Sequence, residues 1–144
     1  MKEITMPAHV DSIAEITDLI NEELEEHGCP LKTLTQIDIA VDEIFSNIAF
    51  YAYGGGTGEA KVAVSAHDGL AEIVFSDSGK PYDPLTASDP DVTLSAEERK
   101  IGGLGIFIVR KTMDEVTYEY RGGMNVLTIK KRFREPMEPE KHVQ

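Results

Sequence analysis

The sequence predicts an α+β fold, a two-layer α/β sandwich in which three helices cover one face of a mixed, mostly antiparallel sheet. Two pairs of strand-like segments are each joined by a two-residue turn, at Asp68-Gly69 and at Gly122-Gly123, as is typical of antiparallel hairpins. Three segments with helical spacing of apolar residues lie among these strands. The order of these strands and helices along the chain lacks the repeated βαβ pattern of a doubly wound fold.

The predicted elements follow one another along most of the chain. In order, they are a strand at 2–7, helices from 10 to about 27 and from about 34 to 53, strands at 59–67 and 70–78, a helix at about 104–113, and strands at 115–121 and 125–133. Pro7 ends the first strand and favours an edge position. Gly28 marks the end of the first helix. In the second helix, Ile37, Val41 and Ile44 follow the spacing of one buried helix face.

A long segment without sustained periodicity separates the second hairpin strand from the third helix. It covers residues 78–100 and is rich in Pro, Ser and Asp. Loops of this length within a compact domain are usually functional or mobile. The segment leads into the glycine-rich stretch KIGGLGIF, so the sequence predicts a lid that is hinged on glycines and lies over a ligand.

Composition and charge limit the function classes. The chain has 144 residues and a formal net charge of −12, which argues against direct binding to nucleic acid or to an anionic membrane. Its single cysteine, Cys29, is interpreted as a small residue at a helix end rather than as a catalytic thiol. No signal peptide or membrane span is recognisable, so a cytoplasmic protein is expected. One domain at 1–134 and a flexible tail at 135–144 are predicted.

Glu43 and Asn47 lie four residues apart in the second predicted helix, which places them on one face, one turn apart. A carboxylate and a carboxamide at this spacing can orient a hydroxyl group and ligate Mg²⁺, which takes few protein ligands besides phosphates and waters. Taken alone, however, the pair is more typical of a solvated polar face on an amphipathic helix.

Asp77 follows an apolar strand and is itself followed by Gly79. An acidic residue at a strand end can accept a hydrogen bond from an exocyclic amine, and a glycine two residues later lets a flat ring approach the backbone. The alternative is a simple Asx turn, for which Asp-Ser-Gly is well suited.

Gly102, Gly103 and Gly105 surround the start of the third helix. Backbone N–H groups at a helix start are accessible to phosphate oxygens when no side chain covers them. The stretch lacks the Lys-Ser or Lys-Thr of a P-loop. Arg99 could lean toward phosphates or form a solvated pair with the neighbouring glutamates. A tight turn into a packed helix is the alternative for the glycines.

These three motifs occur in an order that resembles the GHKL-type ATPase fold of DNA gyrase, histidine kinases and their relatives. Within that fold, the sequence is similar to bacterial anti-sigma factor serine kinases of the partner-switching type, over about residues 2–133. The stretches that carry the resemblance are DEIFSNIAFYAY, FSDSGKPYDP, DPDVTLSAEERKIGGLGIFIVRKTMDEVTYEY and NVLTIKK.

The resemblance implies a role for each matching residue. Glu43 stands at the general-base position, Asn47 at the Mg²⁺-ligand position, and Asp77 where the adenine amino group is read. The further ATP-binding residues that it implies are Gly79, Arg99, Gly102, Gly103, Leu104, Gly105 and Ile106. In two departures from the family pattern, Tyr51 replaces a frequent histidine and residues 123–125 replace a Gly-Thr. The second departure is expected to remove one polar contact to the nucleotide.

The activity that the resemblance implies is phosphoryl transfer from Mg²⁺-ATP to a serine or threonine of a small anti-anti-sigma antagonist protein. The same protein would sequester an RNA polymerase sigma factor and act as a homodimer. The alternative is an ATP-binding regulatory module that binds its partners without kinase activity. A histidine-kinase fragment is disfavoured, because none of the four histidines lies in a convincing phosphoacceptor helix.

Overall fold

The computed structural model describes residues 1–86 and 103–136. In chain order, its elements are the strand β1 (Lys2–Pro7), the helices α1 (Ile13–Glu26) and α2 (Leu31–Tyr51), the strands β2 (Glu59–His67) and β3 (Leu70–Asp77), the helix α3 (Gly103–Thr112), and the strands β4 (Glu115–Arg121) and β5 (Met124–Arg132). The order and type of these elements confirm the prediction. The largest differences are the starts of two helices. A 3-10 turn at Val10–Ser12 precedes α1, which begins at Ile13 instead of Val10, and α2 begins at Leu31 instead of Leu34. Most of the predicted lid and of the predicted tail lies outside the described residues.

The five described strands form one sheet in the order β1-β2-β3-β5-β4, and every neighbouring pair is antiparallel. The predicted α+β class is therefore confirmed, although no parallel pair occurs among these strands. Both hairpins close through two residues with positive φ, which are 52° and 82° at Asp68 and Gly69 and 61° and 80° at Gly122 and Gly123. Such φ values match the twist of antiparallel strands, so each turn fixes the register of its hairpin.

The hydrophobic core lies between the helices and one face of the sheet. Its largest fully buried side chains are Phe45, Phe75, Ile16, Ile20, Leu24, Ile37, Ile73, Ile129, Val41, Val62, Val64 and Val109. In β3, alternate residues point into this core, from Ala71 through Ile73 and Phe75 to Asp77. The last inward position of the central strand is thus a carboxylate. Within residues 1–86 and 103–136, no helix has the length and apolar character needed to cross a membrane.

A polar pair joins α1 to α2. Asn21 Nδ2 donates to Asp38 Oδ2 at 3.3 Å. The other two oxygens, Asn21 Oδ1 and Asp38 Oδ1, are buried and have no hydrogen-bond partner in the described part of the chain. Burial raises the pKa of Asp38, an effect that the hydrogen bond from Asn21 opposes and the charge of Glu25 reinforces.

Asp38→Asn is expected to raise the free energy of unfolding at neutral pH and to change it little at acidic pH. Because the carboxyl pKa is higher in the folded state than in the unfolded state, the cost of ionising Asp38 appears as pH rises through the folded-state pKa. Asparagine keeps the shape of the protonated acid and never ionises. Urea unfolding of both proteins across pH measures the effect, with Asp42→Asn at an exposed carboxylate of α2 as control. A difference that does not vary with pH would contradict the assignment.

Cys29 lies between α1 and α2 and is buried. Burial raises the pKa of its thiol to about 11, and the nearby Asp38 carboxylate adds to the shift. A thiol with this pKa is almost entirely protonated at neutral pH and is a poor nucleophile. The surroundings of Cys29 therefore agree with the predicted structural role.

Candidate functional site

A cleft opens between the C-terminal half of α2, the ends of β3 and β5, and α3. It is lined by Ile44, Asn47, Ile48, Tyr51, Ala52, Phe75, Asp77, Lys80, Tyr82, Pro84, Ile106, Tyr118, Asn125 and Leu127. The fold thus brings together Asn47, Asp77 and Ile106, which the sequence analysis named from three separate motifs. Mostly apolar walls with a few polar groups are typical of a small-molecule site.

Asp77 supplies the carboxylate in the wall of this cleft. It is the last residue of β3 and is 5% exposed. Its Oδ1 accepts a hydrogen bond from Gly79 N at 2.9 Å and another from Asn125 Nδ2 at 3.0 Å. The first bond is the Asx turn that the sequence analysis left open as the alternative. The turn and a carboxylate that faces the cleft therefore occur together.

Asn125 is a site residue that sequence reasoning missed. It lies opposite Asp77 in the register between β3 and β5 and is 8% exposed. The available signal was its place in the alternation of β5, where Leu127 and Ile129 are the next inward residues. Although a Gly-Thr is absent here, a polar group is retained, because the Asn125 carboxamide is hydrogen-bonded to Asp77.

The turn after β3 is attached to the C-terminal end of α2. Lys80 N donates to Ala52 O at 2.9 Å. A Cβ added at Gly79 would overlap the backbone of Ala52, well inside the 3.0 Å that real Cβ atoms keep. Tyr53 adds a second attachment, because its hydroxyl accepts a hydrogen bond from Ser78 N at 3.1 Å. These contacts hold the Asp77 carboxylate in a fixed relation to α2.

Glu43 lies on α2 one turn before Asn47 and is half-buried. Burial raises the pKa of its carboxyl group, and the charge of Asp42 adds to the shift. A Cβ added at Gly105 would overlap the Glu43 carboxylate, so the first turn of α3 packs directly against that group. A carboxylate with a raised pKa is a better proton acceptor than an exposed one.

The glycine-rich stretch is described only in part. Helix α3 begins at Gly103, whose backbone N–H belongs to the first turn and has no partner within the helix. Ile106 is buried and lines the cleft. Arg99 and Gly102 lie outside the described residues, as does the side chain of Leu104, so the roles predicted for them stay predictions.

The donor set of the cleft fits Mg²⁺ better than a metal that needs several protein ligands. In the described ranges, no group of three or more His, Cys, Asp or Glu side chains is arranged to hold a metal ion. The carboxamide of Asn47 lines the cleft and offers a neutral oxygen. Mg²⁺ commonly takes one or two protein oxygens together with phosphates and waters.

Comparison with known proteins identifies the family. A model of the histidine kinase-like ATPase domain matches residues 6–131. The chain belongs to the histidine kinase-like ATPase family. Among its relatives, the serine-protein kinase RsbW of Listeria monocytogenes is 32% identical over 108 residues, which cover 72% of this chain and 69% of the relative. RsbW of Bacillus cereus is 25% identical over 140 residues, which cover 94% of this chain and 88% of the relative.

Solved structures show the same histidine kinase-like ATPase fold. The structure of the RsbU and RsbW domains of a Mycobacterium tuberculosis protein matches 95% of this chain with a TM-score of 0.62 and 18% identity. A blue-light activated histidine kinase of Erythrobacter litoralis matches 81% with a TM-score of 0.54 and 16% identity. This chain spans 33% and 34% of those two longer chains, so the likeness concerns one domain of each.

Proposed function

We propose that this protein is an ATP-dependent anti-sigma factor and serine/threonine-protein kinase. It phosphorylates a small antagonist protein and sequesters an RNA polymerase sigma factor, as a cytoplasmic homodimer. The observation that carries the ATP-dependent part is the shared cleft, in which Asp77 and Asn47 both line the wall. Glu43 lies one turn before Asn47 on the same helix. Support for the kinase part comes from relatives that are named serine-protein kinases.

The adenine ring is proposed to occupy the apolar part of the cleft. Ile48, Phe75 and Leu127 offer flat or aliphatic surface there. Asp77 accepts a hydrogen bond from the adenine amino group, and a hydrogen bond to a charged acceptor contributes more than one between neutral groups. The ring therefore gains apolar burial and a specific polar contact at the same place.

The phosphates are proposed to extend toward the start of α3. Backbone N–H groups in the first turn of α3 donate to them, and the helix dipole favours their charge. Asn47 would hold Mg²⁺ through its carboxamide oxygen, and the metal would supply charge neutralisation at the phosphates. Glu43 orients the attacking hydroxyl group and accepts its proton, a role that its raised pKa favours.

Asp77→Asn tests the nucleotide site. We expect affinity for Mg²⁺-ATP to fall about tenfold or more, because the variant loses a charged hydrogen-bond acceptor at the adenine amino group. Isothermal titration of both folded proteins measures the change. Asp42→Asn, at an exposed carboxylate of α2, is the matched control and is expected to bind as the unsubstituted protein does. Absence of ATP binding to the folded, unsubstituted protein would remove the ATP-dependent proposal.

A further inference from the structure

Asn125 is hydrogen-bonded on both sides of its carboxamide. Nδ2 donates to Asp77 Oδ1 at 3.0 Å and to Lys80 O at 2.9 Å. Oδ1 accepts from Tyr82 N at 3.1 Å and from the hydroxyl group of Tyr118. Because a backbone N–H only donates and a backbone carbonyl only accepts, these partners determine which side of the amide carries the nitrogen.

These contacts give the two carboxylate oxygens of Asp77 different hydrogen-bonding environments. Oδ1 is occupied by Gly79 N and by Asn125 Nδ2, at 2.9 and 3.0 Å. Oδ2 has no hydrogen-bond partner among residues 1–86 and 103–136, and Asp77 lines the cleft. An ionised carboxylate oxygen only accepts hydrogen bonds. The cleft therefore presents an acceptor and favours a ligand that brings a donor.

We propose that Asn125 is a positioning residue that sets the base specificity of the nucleotide site. By holding Oδ1, Asn125 keeps Oδ2 of Asp77 turned toward the ligand, where it accepts from the amino group of adenine and repels the carbonyl oxygen at the same position of hypoxanthine. The same amide fixes Lys80 and Tyr82, which also line the cleft. This inference rests on the proposed function, since it assumes that the ligand is ATP.

The choice of asparagine follows from the number of donors required. The amide nitrogen serves Asp77 and Lys80 at once, whereas a hydroxyl group has a single donor. Asn125→Thr therefore keeps part of the network, and Asn125→Leu removes all of it at similar side-chain size. Val126 lies next in β5 and points to the opposite face of the sheet, so Val126→Thr is the matched control.

Titration of the full chain with the Mg²⁺ complexes of ATP and inosine triphosphate tests the proposal. The two nucleotides differ at one position, where an amino group in ATP is replaced by a carbonyl oxygen. We expect the unsubstituted protein and Val126→Thr to prefer ATP by at least about a hundredfold. In Asn125→Leu, the preference is expected to fall by about tenfold or more, because Gly79 N then holds Oδ1 alone and the carboxylate can rotate more easily. Asn125→Thr is expected to lie between them.

Asn125→Asp supplies a readout that general loosening of the fold would not produce. It sets a second carboxyl group against Asp77, and two carboxylates in contact favour uptake of one proton. That shared proton restores a hydrogen-bond donor to Oδ1 of Asp77. Affinity of this variant for ATP is therefore expected to rise as pH is lowered from neutral, whereas that of the unsubstituted protein is not.

The possible results separate this proposal from the proposed function. If the folded, unsubstituted protein binds neither nucleotide, the proposed function itself fails. If that protein prefers ATP and the Asn125 variants keep both its preference and its pH profile, the role of Asn125 is overturned. Should circular dichroism show that Asn125→Leu does not fold, Asn125→Thr and Asn125→Asp decide. An unchanged pH profile in Asn125→Asp then overturns the proposal, and a rise at acidic pH supports it.

Discussion

Glu43→Gln is expected to lower the rate of phosphoryl transfer by about 10²-fold to 10⁴-fold, the usual contribution of a general base. Glutamine preserves the size of the side chain that packs against Gly105 but cannot accept the proton of the attacking hydroxyl group. ATP affinity should change little, because Glu43 is not among the residues that line the described cleft. Transfer of ³²P from labelled ATP to antagonist proteins of related partner-switching systems, used as trial acceptors, measures the rate.

Glu22→Gln is the control for this substitution, because it makes the same exchange at an exposed position of α1 that does not line the cleft. Transfer by Glu43→Gln at the unsubstituted rate would show that the base lies elsewhere. If the unsubstituted protein binds ATP but phosphorylates none of the trial acceptors, the alternative of a regulatory module without kinase activity gains support. The two outcomes are distinct, since only the second concerns the unsubstituted protein.

The parts of the fold that depend on local chemistry were predictable from the sequence. Asp68-Gly69 and Gly122-Gly123 fixed both hairpins, because positive φ is a property of a few residues and needs no partner. The start of α2 was harder to predict from the sequence. Leu31 is 77% exposed and lies outside the apolar periodicity, and Pro30 before it forms no side-chain cap. Neither residue carries the pattern from which the helix was predicted.

The candidate site was predictable only where its residues form local motifs. Glu43 and Asn47 share a helix face, so their spacing alone related them. Asn125 was not predicted as a site residue, because its place in the site depends on a hydrogen bond to Asp77, 48 residues earlier in the chain. Such a contact follows from strand order and register, which the hairpin turns do not specify for the pairing of β3 with β5. A polar residue in the inward set of a strand was the remaining clue.

The glycines of the site have structural causes that the sequence could not reveal. Gly105 admits the carboxylate of Glu43 between α2 and α3. Gly79 admits the backbone of Ala52, a contact that is part of neither alternative predicted from the sequence, the approach of a flat ring or an Asx turn. Contact with a nucleotide stays a prediction for both positions. The common feature is that each glycine lets a second element approach a residue of the candidate site.

Gly79→Ala is expected to destabilise the protein by about 1–3 kcal/mol, because the added methyl group overlaps backbone atoms that cannot rotate away. Relief requires the turn to leave the end of α2, which breaks the hydrogen bond from Lys80 N to Ala52 O. The displaced turn carries Asp77 with it, so ATP affinity should fall as well. Urea unfolding and isothermal titration measure the two effects on the same samples.

Gly105→Ala and Gly56→Ala show whether this effect is specific. At Gly105 the obstructing atoms belong to the flexible side chain of Glu43, which can rotate away. The rate of phosphoryl transfer should therefore fall in Gly105→Ala, while the free energy of unfolding is retained. At exposed Gly56 an added Cβ meets only the Tyr53 carbonyl oxygen, at 3.2 Å, and little change is expected in either property. If Gly79→Ala is as stable as Gly56→Ala, the turn is not held against α2 as described. A loss of stability without a loss of ATP affinity would instead mean that the turn and the nucleotide site move independently.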